Sequence, residues 1–266
     1  MSEICYQDIL REKQAALAEM GLPPVFKRYS GSWLRYLLDG EVFQEFALSA
    51  VSRWFVPEFK PENFTGSFDL SRDGGNTMTS ALEYIFGIDD KYVNPDGAAG
   101  ASDNDTANKG LILDSFYISW EHITLSKKKK KQLLRGFGIT RWLKVQFVVK
   151  RSSANLLRPD KWESFYALMR EREVNGVIVR KPDFNGLNLL EIEPLKFRNR
   201  KEAPAPGDFL ENFMSFVTAE TPEDSILAAE RAGALLDDVV RRDLEFMTDE
   251  KKWAAYLEEL RSVRRD

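Results

Sequence analysis

The chain has 266 residues, 43% of them hydrophobic, with 38 Lys and Arg against 42 Asp and Glu and a formal charge of −4. This composition is typical of globular proteins and excludes disordered and collagen-like chains, and no apolar run reaches the ~20 residues that a membrane-spanning helix needs. The only cysteine, Cys5, excludes an intrachain disulfide, and the only histidine, His122, excludes zinc sites built from several His or Cys ligands.

The N-terminal apolar pattern predicts helices. Apolar residues recur at helical intervals over residues 2–20, and a glycine followed closely by two prolines ends that segment. A denser pattern over residues 32–56 predicts one or two core helices, with a break at residues 39 and 40. Asn76 or Thr77 is a suitable cap for a further short helix that ends at Phe86.

Beyond residue 110 the spacing of apolar residues changes from a helical to a strand period. It predicts strands over residues 111–120, 142–149, 177–179 and 187–192. Pro159 predicts the start of a helix between the second and third strands, with an apolar stripe of Trp162, Phe165, Tyr166 and Met169. We expect residues 182–186 to join the last two strands as a hairpin.

The C-terminal part follows a charged and proline-containing linker over residues 198–207 and is predicted to be helical. A short amphipathic helix is expected over residues 209–217. Thr221 is then a hydroxyl cap followed by proline and two acids, which predicts a helix that continues to about residue 246. Thr248 or Asp249 caps a last predicted helix through Val263, whose apolar stripe is Trp253, Tyr256, Leu257 and Leu260.

These elements predict an α+β protein with a mixed or antiparallel central sheet, a helical N-terminal part and a C-terminal helical extension. We divide the chain into a helical N-terminal part (1–93), a mobile loop (94–110), an α+β central part (111–200), and a linker with C-terminal helices (201–266). The loop prediction depends on composition, because residues 94–110 are almost devoid of apolar side chains that could order them. The N-terminus lacks a basic stretch followed by an apolar one, so we expect a cytoplasmic protein, or a nuclear one in a eukaryote.

The near-neutral total charge conceals a strongly basic segment. Residues 122–159 contain eleven Lys and Arg and no Asp or Glu, and removing those charges from the formal −4 leaves −15 on the rest of the chain. An exposed cluster of this kind attracts polyanions and binds them with a strong dependence on salt.

This segment therefore predicts binding to nucleic acid or another polyanion, including a phospholipid headgroup. The predicted binding residues are Lys127, Lys128, Lys129, Lys130, Lys131, Arg135, Arg141, Lys144, Lys150 and Arg151. Neighbouring Phe137, Trp142 and Phe147 could stack on bases where they are exposed. Other uses of the segment stay open: a solvated loop, docking on the chain's own acidic helices, an acidic protein partner, or a nuclear localisation patch.

One fragment resembles the catalytic motif of the magnesium-dependent nucleases that carry Pro-Asp followed by Asp/Glu-x-Lys. Pro182-Asp183 precedes Glu191, Glu193 and Lys196, but the lysine comes three residues after Glu193 instead of two. If the resemblance holds, Asp183, Glu191 and Glu193 bind Mg²⁺ and Lys196 stabilises the attacking water. The alternative is that both glutamates lie on the outward, polar side of a half-exposed strand.

The sequence thus contains no catalytic signature strong enough to name a reaction, metal or cofactor. We expect a non-enzymatic binding or assembly protein that engages a polyanion through its basic segment, with acidic C-terminal helices available to a protein partner. The magnesium-dependent nuclease and a protein-only scaffold subunit of a larger assembly are the alternatives.

Overall fold

The computed structural model describes residues 5–21, 31–56, 59–71, 92–93, 110–122, 139–150, 161–167, 169–174, 177–182, 187–200 and 202–262. Two predicted segments, the helix over residues 76–86 and nearly all of the loop over residues 94–110, lie outside these ranges. The residues form two compact units: unit 1 comprises Met1–Ala50, Ser153–Trp162 and Glu193–Asp266, and unit 2 comprises Val51–Ser152 and Glu163–Ile192. Within the described ranges, no helix is long and apolar enough to cross a membrane.

The predicted α+β class is confirmed. The helices are α1 (Tyr6–Glu19), α2 (Gly31–Leu37), α3 (Gly40–Trp54), α4 (Pro194–Arg198), α5 (Phe209–Val217), α6 (Pro222–Ala232), α7 (Asp237–Thr248) and α8 (Glu250–Ser262), with short 3₁₀ helices at Pro61–Asn63 and Gly233–Leu236. The strands are β1 (Asp69–Ser71), β2 (Tyr92–Val93), β3 (Gly110–His122), β4 (Ile139–Lys150), β5 (Glu163–Ala167), β6 (Met169–Val174), β7 (Val177–Pro182) and β8 (Leu187–Ile192).

Unit 2 contains a mixed sheet in the order β1-β3-β4-β8-β5, with β2 also paired to β3. The long β3 and β4 are antiparallel, β4 and β8 are parallel, and β5 is antiparallel to β8. Strands β6 and β7 form a separate two-stranded antiparallel ribbon. The strands predicted over 111–120, 142–149, 177–179 and 187–192 are therefore all confirmed, each within a few residues.

Two predictions about the central part are wrong. Residues 163–167 form strand β5 instead of a helix, because Phe165 and Tyr166 serve opposite faces of the sheet: Phe165 stacks on Trp54 at 5.2 Å between ring centroids, and the Tyr166 hydroxyl hydrogen-bonds Glu191. The expected hairpin between the last two strands is absent, since β7 pairs with β6 while β8 lies between β4 and β5. Pairing with a neighbouring strand outweighs a helix-like spacing of aromatic residues.

The apolar face of the central sheet forms the core of unit 2. It carries alternate residues of β3, β4 and β8, all buried: Phe116, Ile118, Trp120, Leu143, Val145, Phe147, Leu190 and Ile192. Phe55, the residue after α3, packs edge-to-face on Trp120 at 4.9 Å between ring centroids. Glu163 in β5 accepts hydrogen bonds from Arg53 at 2.6 Å and from the Trp54 indole at 3.2 Å, which fixes the end of α3 to the edge of the sheet.

The helices of unit 1 begin and end largely where the sequence predicts. The break between α2 and α3 falls at Gly40, which has φ +58°, and a Cβ there would lie 2.8 Å from an Arg242 guanidinium nitrogen. The Thr221 hydroxyl accepts a hydrogen bond from the Asp224 backbone, whose carboxylate returns one, as a capping box. Helix α6 ends earlier than predicted, because Gly233 at φ +53° begins a 3₁₀ turn that separates it from α7.

Asp243 of α7 joins three helices inside unit 1. Its carboxylate is 1% exposed and accepts hydrogen bonds from the Tyr6 hydroxyl of α1 at 2.6 Å and from the Trp33 indole of α2 at 2.9 Å. Burial raises the pKa of Tyr6 well above its ordinary value of 10.0, and the Asp243 carboxylate raises that pKa further. A buried carboxylate with two donors from two other helices fixes their relative positions.

The raised pKa of Tyr6 predicts a loss of stability at high pH. Below about pH 10 both the folded and the unfolded chain keep the Tyr6 proton, so its contribution is fully present. Above that pH the unfolded chain releases the proton and the folded chain retains it, so the free energy of unfolding falls as pH rises toward the folded pKa. Urea unfolding between pH 8 and about pH 11 should show a steeper fall for the wild type than for Tyr6→Phe. Equal slopes for the two proteins would contradict the assignment.

Candidate nucleic-acid interface

The β3–β4 hairpin positions the most basic part of the sequence. Its register pairs Glu121 with Thr140 and His122 with Ile139, so the two strands end side by side at one edge of the sheet. The intervening residues 123–138, which we call the β3–β4 connection, therefore leave and re-enter the sheet at neighbouring points. Six of the ten predicted binding residues belong to this connection: Lys127, Lys128, Lys129, Lys130, Lys131 and Arg135.

Chain length limits how far these charges can spread. The connection has 16 residues and contains no Asp or Glu. At about 3.5 Å per residue, a chain that returns to its starting point reaches at most ~28 Å from it. The structure does not describe the connection itself, but it places the two strand residues that flank it, His122 and Ile139, at paired positions.

The four other predicted residues lie in or just after β4. Arg141 and Lys144 are 7% and 2% exposed, so their side chains belong to the interior of the protein in this conformation. The ammonium of Lys144 lies 5.9 Å from the centroid of the Tyr117 ring on β3. Lys150 is the last residue of β4, where nothing is described of its side chain, and Arg151 lies outside the described residues.

The burial of Lys144 has a topological cause. Strand β4 lies between β3 and β8, and the register places Lys144 beside Tyr117 on one neighbour and Leu189 on the other. A central strand is paired with a neighbour on each side. Its side chains are therefore buried on both faces of the sheet when other parts of the chain pack against each face. The strand alternation was visible in the sequence, but the cover over the polar face was not.

Glu191 and Glu193 have different environments. Glu191 is 0% exposed in β8 and accepts a hydrogen bond from the Tyr166 hydroxyl at 3.0 Å, so the expectation of an outward, half-exposed side chain is wrong for it. Glu193 is buried too, but it follows the end of β8 and its carboxylate pairs with Lys196 at 3.0 Å. The two glutamates therefore do not share one face of a strand.

The proposed metal site gains no support from these positions. Lys196, the lysine of the nuclease-like motif, is already ion-paired with Glu193. No group of three His, Cys, Asp or Glu side chains suited to a metal occurs among the residues that the structure describes. Asp183 lies outside them, so the site formed by Asp183, Glu191 and Glu193 stays a prediction.

The aromatic residues near the basic segment divide by burial. Phe147 is fully buried in the core of unit 2 and cannot stack on a base in this conformation. Trp142 is half-buried, and Phe137 lies outside the described residues. Among the described candidates, Trp142 of β4 is therefore the only aromatic residue that could stack on a base.

The acidic helices of unit 1 carry carboxylates with local partners. The hydrogen bond from Arg241 lowers the pKa of Asp238, and the hydrogen bond from Tyr36 lowers that of Glu245. The predicted apolar stripe of the last helix is used internally where the structure describes it, since Tyr256 is buried and packs on Phe246 of α7 at 6.0 Å between ring centroids.

A pocket of about 400 Å³ in unit 1 combines acidic and apolar lining residues: Glu41, Val42, Glu45, Phe209, Ala232, Ala234, Leu235 and Asp238. Glu41 and Asp238 belong to the first turns of α3 and α7. The positive end of each helix dipole stabilises a carboxylate at such a position. Two of the three acidic lining residues are therefore explained without a bound ligand.

Comparison with known proteins gives no relative from which a function could be transferred. No family model matches the chain, and no curated protein or solved structure is significantly similar to it.

Proposed function

We propose that this protein binds nucleic acid, or a polyanion of similar charge density, through the β3–β4 connection. One arrangement carries the proposal: the pairing of His122 with Ile139 brings together both ends of a 16-residue connection that holds six cations and no acid. The proposal requires no cofactor and no catalytic group. The molecular activity is binding, and its biological use is assembly on the bound polymer.

The electrostatic argument concerns local charge, because total charge is misleading here. The chain carries −4 overall, yet residues 122–159 carry eleven cations without an acid. Exposed charges separated by more than about 8 Å are screened at physiological salt, so the −15 on the rest of the chain only weakly opposes a polyanion at the connection. Nucleic acid releases condensed counterions when lysines replace them, which makes such binding favourable and dependent on salt.

The contact residues of the proposal are those that the connection and its neighbours supply. They are Lys127 to Lys131 and Arg135, with Lys150 and Arg151 as predicted additions beyond the end of β4. We leave out Arg141 and Lys144, since their burial removes them from a surface that a polymer could reach. Binding without base recognition is expected, because lysines contact phosphates and carry no sequence information.

Neutralising part of the lysine run tests the proposal. In a variant with Lys127, Lys129 and Lys131 replaced by Gln, the affinity for a fluorescent 20-nucleotide oligonucleotide should fall. The slope of log K against log salt should become shallower by about 0.7 for each phosphate contact with this single strand that is lost. Fluorescence anisotropy at several salt concentrations from about 50 to 200 mM gives both quantities.

A matched control removes three charges elsewhere. Lys60, Arg231 and Lys251 are exposed and lie far from the basic segment in sequence, so replacing all three by Gln changes the net charge equally. This control should keep the wild-type affinity and slope to within about twofold. Equal losses in both variants, or no binding by the wild type, would overturn the proposal.

A further inference from the structure

Trp142 of β4 differs from the other tryptophans of the chain. The sequence contains six tryptophans. The other five each have a side-chain hydrogen bond, an aromatic ring partner or both: Trp33, Trp54, Trp120, Trp162 and Trp253. Among the residues that the structure describes, no hydrogen bond, ring contact or cation–π contact involves the indole of Trp142, which is only half-buried. A large, partly exposed aromatic ring without such a partner is available to a ligand.

Trp142 lies on the polar face of the central sheet, opposite the apolar core of unit 2. The register places it beside Ser119 on β3 and beside Leu187, the first residue of β8. Farther along the same face of β4, Lys144 and Gln146 are 2% and 4% exposed. Burial of this face therefore decreases toward Trp142, at the end of the sheet where the β3–β4 connection leaves it.

The distance along the strand allows one polymer to contact both Trp142 and the connection. Trp142 is three residues from Ile139, where β4 begins, or about 10 Å at 3.4 Å per residue. Successive phosphates of one DNA strand are about 3.4 Å apart along a duplex axis and farther apart when the strand is extended. A strand whose phosphates are held at the start of β4 thus needs about three nucleotides or fewer to place a base on Trp142.

The charges beside Trp142 determine which part of a nucleotide it can contact. Glu121 of β3 and Asp69 of β1 are both exposed, and the register places them on the same face as Trp142. Carboxylates repel phosphates, so we do not expect the polymer backbone over this part of the face. A base is uncharged and can stack on an indole ring. The phosphates are therefore expected at the connection and a base at Trp142.

We infer that Trp142 is a base-stacking residue and that the ligand is single-stranded nucleic acid. The inference rests on the proposed function and specifies its ligand. In a duplex the neighbouring bases already occupy both faces of each base, so stacking on a protein ring requires an unpaired, unstacked base. The lysines of the connection supply the salt-dependent part of the affinity, and Trp142 supplies a part that does not depend on charge.

Substitutions that separate the aromatic ring from its apolar bulk provide the test. Trp142→Leu keeps an apolar side chain and removes the ring, whereas Trp142→Phe keeps a smaller ring. Trp253→Leu is the matched control, because Trp253 is also half-buried but belongs to α8 of unit 1. Circular dichroism of each variant establishes whether it folds as the wild type does.

Anisotropy with a 20-nucleotide strand and with the corresponding duplex gives the first readout. Trp142→Leu should bind the strand roughly tenfold more weakly with the wild-type salt slope, because it loses a stacking contact and no phosphate contact. Trp142→Phe and Trp253→Leu should stay within about threefold of the wild type. On the duplex, the loss for Trp142→Leu should be less than about twofold.

Tryptophan fluorescence gives a second readout that does not depend on the folding of Trp142→Leu. A base stacked on an indole quenches its emission. Saturation with the single strand should therefore quench the wild type more strongly than Trp142→Phe, which lacks this indole. Equal quenching of the two proteins would contradict stacking on Trp142.

The outcomes separate this inference from the proposed function. If the lysine-run variant loses binding while Trp142→Leu binds the single strand like Trp253→Leu, the inference is overturned and the connection remains the binding site. Equal losses for Trp142→Leu on the strand and on the duplex also overturn it. If the wild type binds neither polymer, both the proposed function and the inference fail.

Discussion

Replacing Asp243 with alanine is expected to lower the free energy of unfolding of unit 1 by about 4 kcal/mol. The carboxylate is almost completely buried and accepts hydrogen bonds from Tyr6 and Trp33. Its removal leaves the buried Trp33 indole N–H without this acceptor and disconnects α7 from α1 and α2. A hydrogen bond to a charged group contributes about 1.5–3 kcal/mol, and this carboxylate accepts two.

Urea unfolding followed by circular dichroism and tryptophan fluorescence measures this loss. Asp243→Asn keeps one acceptor oxygen and should lose roughly half as much stability. Asp237→Ala is a matched control, since Asp237 is an exposed aspartate in the first turn of the same helix and should cost less than about 1 kcal/mol. An Asp243→Ala protein as stable as the Asp237→Ala control would show that the three helices are held by apolar packing alone.

The helices of unit 1 could be predicted because local signals agree with tertiary packing. Thr221, followed by proline and two acids, places the start of α6 within one residue, and Gly40 marks the break between α2 and α3. Gly233 was the missed signal, since a glycine inside a helical pattern can equally be tolerated. Only its φ of +53° shows that the chain turns there.

Strand pairing could be predicted much less well than the strands themselves. The Asn175-Gly176 dipeptide is a strong hairpin signal, but the helix predicted from Pro159 leaves no strand before it with which residues 177–179 could pair. Once residues 163–167 are assigned to a strand, the same dipeptide predicts the β6–β7 ribbon. One error of period therefore caused the wrong hairpin and concealed the β6–β7 ribbon.

Burial of charged residues was the least predictable feature of the candidate site. Lys144 and Glu191 lie on the polar face of strands with alternating patterns, and such a face usually meets solvent, whereas the register places Arg141 opposite Trp120 on the apolar face. Whether the polar face of a sheet meets water depends on chain segments far away in sequence. The lysine run was identifiable from composition alone, because five consecutive lysines cannot all be buried.

Replacing Glu191 with alanine is expected to destabilise unit 2 by about 3 kcal/mol and to leave oligonucleotide binding of the folded protein unchanged. Glu191 is 0% exposed in β8, and its loss leaves the Tyr166 hydroxyl of β5 without the carboxylate that accepts its hydrogen bond at 3.0 Å. Glu191→Gln retains an acceptor and should cost about 1 kcal/mol. The exposed Glu173 of β6 gives the control, because Glu173→Ala should change stability by less than about 0.5 kcal/mol.

The same variants decide between a structural and a metal-binding role for Glu191. If the role is structural, Tyr166→Phe and Glu191→Ala should be coupled in a double-mutant cycle by about 1.5 kcal/mol or more. Mg²⁺ should then neither change the free energy of unfolding nor lead to cleavage of an added oligonucleotide. If Glu191 instead binds Mg²⁺ with Asp183, the ion should stabilise the wild type and not Glu191→Gln, by an amount that grows with the ion's concentration. Cleavage of an oligonucleotide only by the wild type with Mg²⁺ would favour the nuclease over the binding protein. The structure favours the structural role, because this buried carboxylate accepts a hydrogen bond from a tyrosine hydroxyl on the adjoining strand, and the motif's lysine is already paired with Glu193.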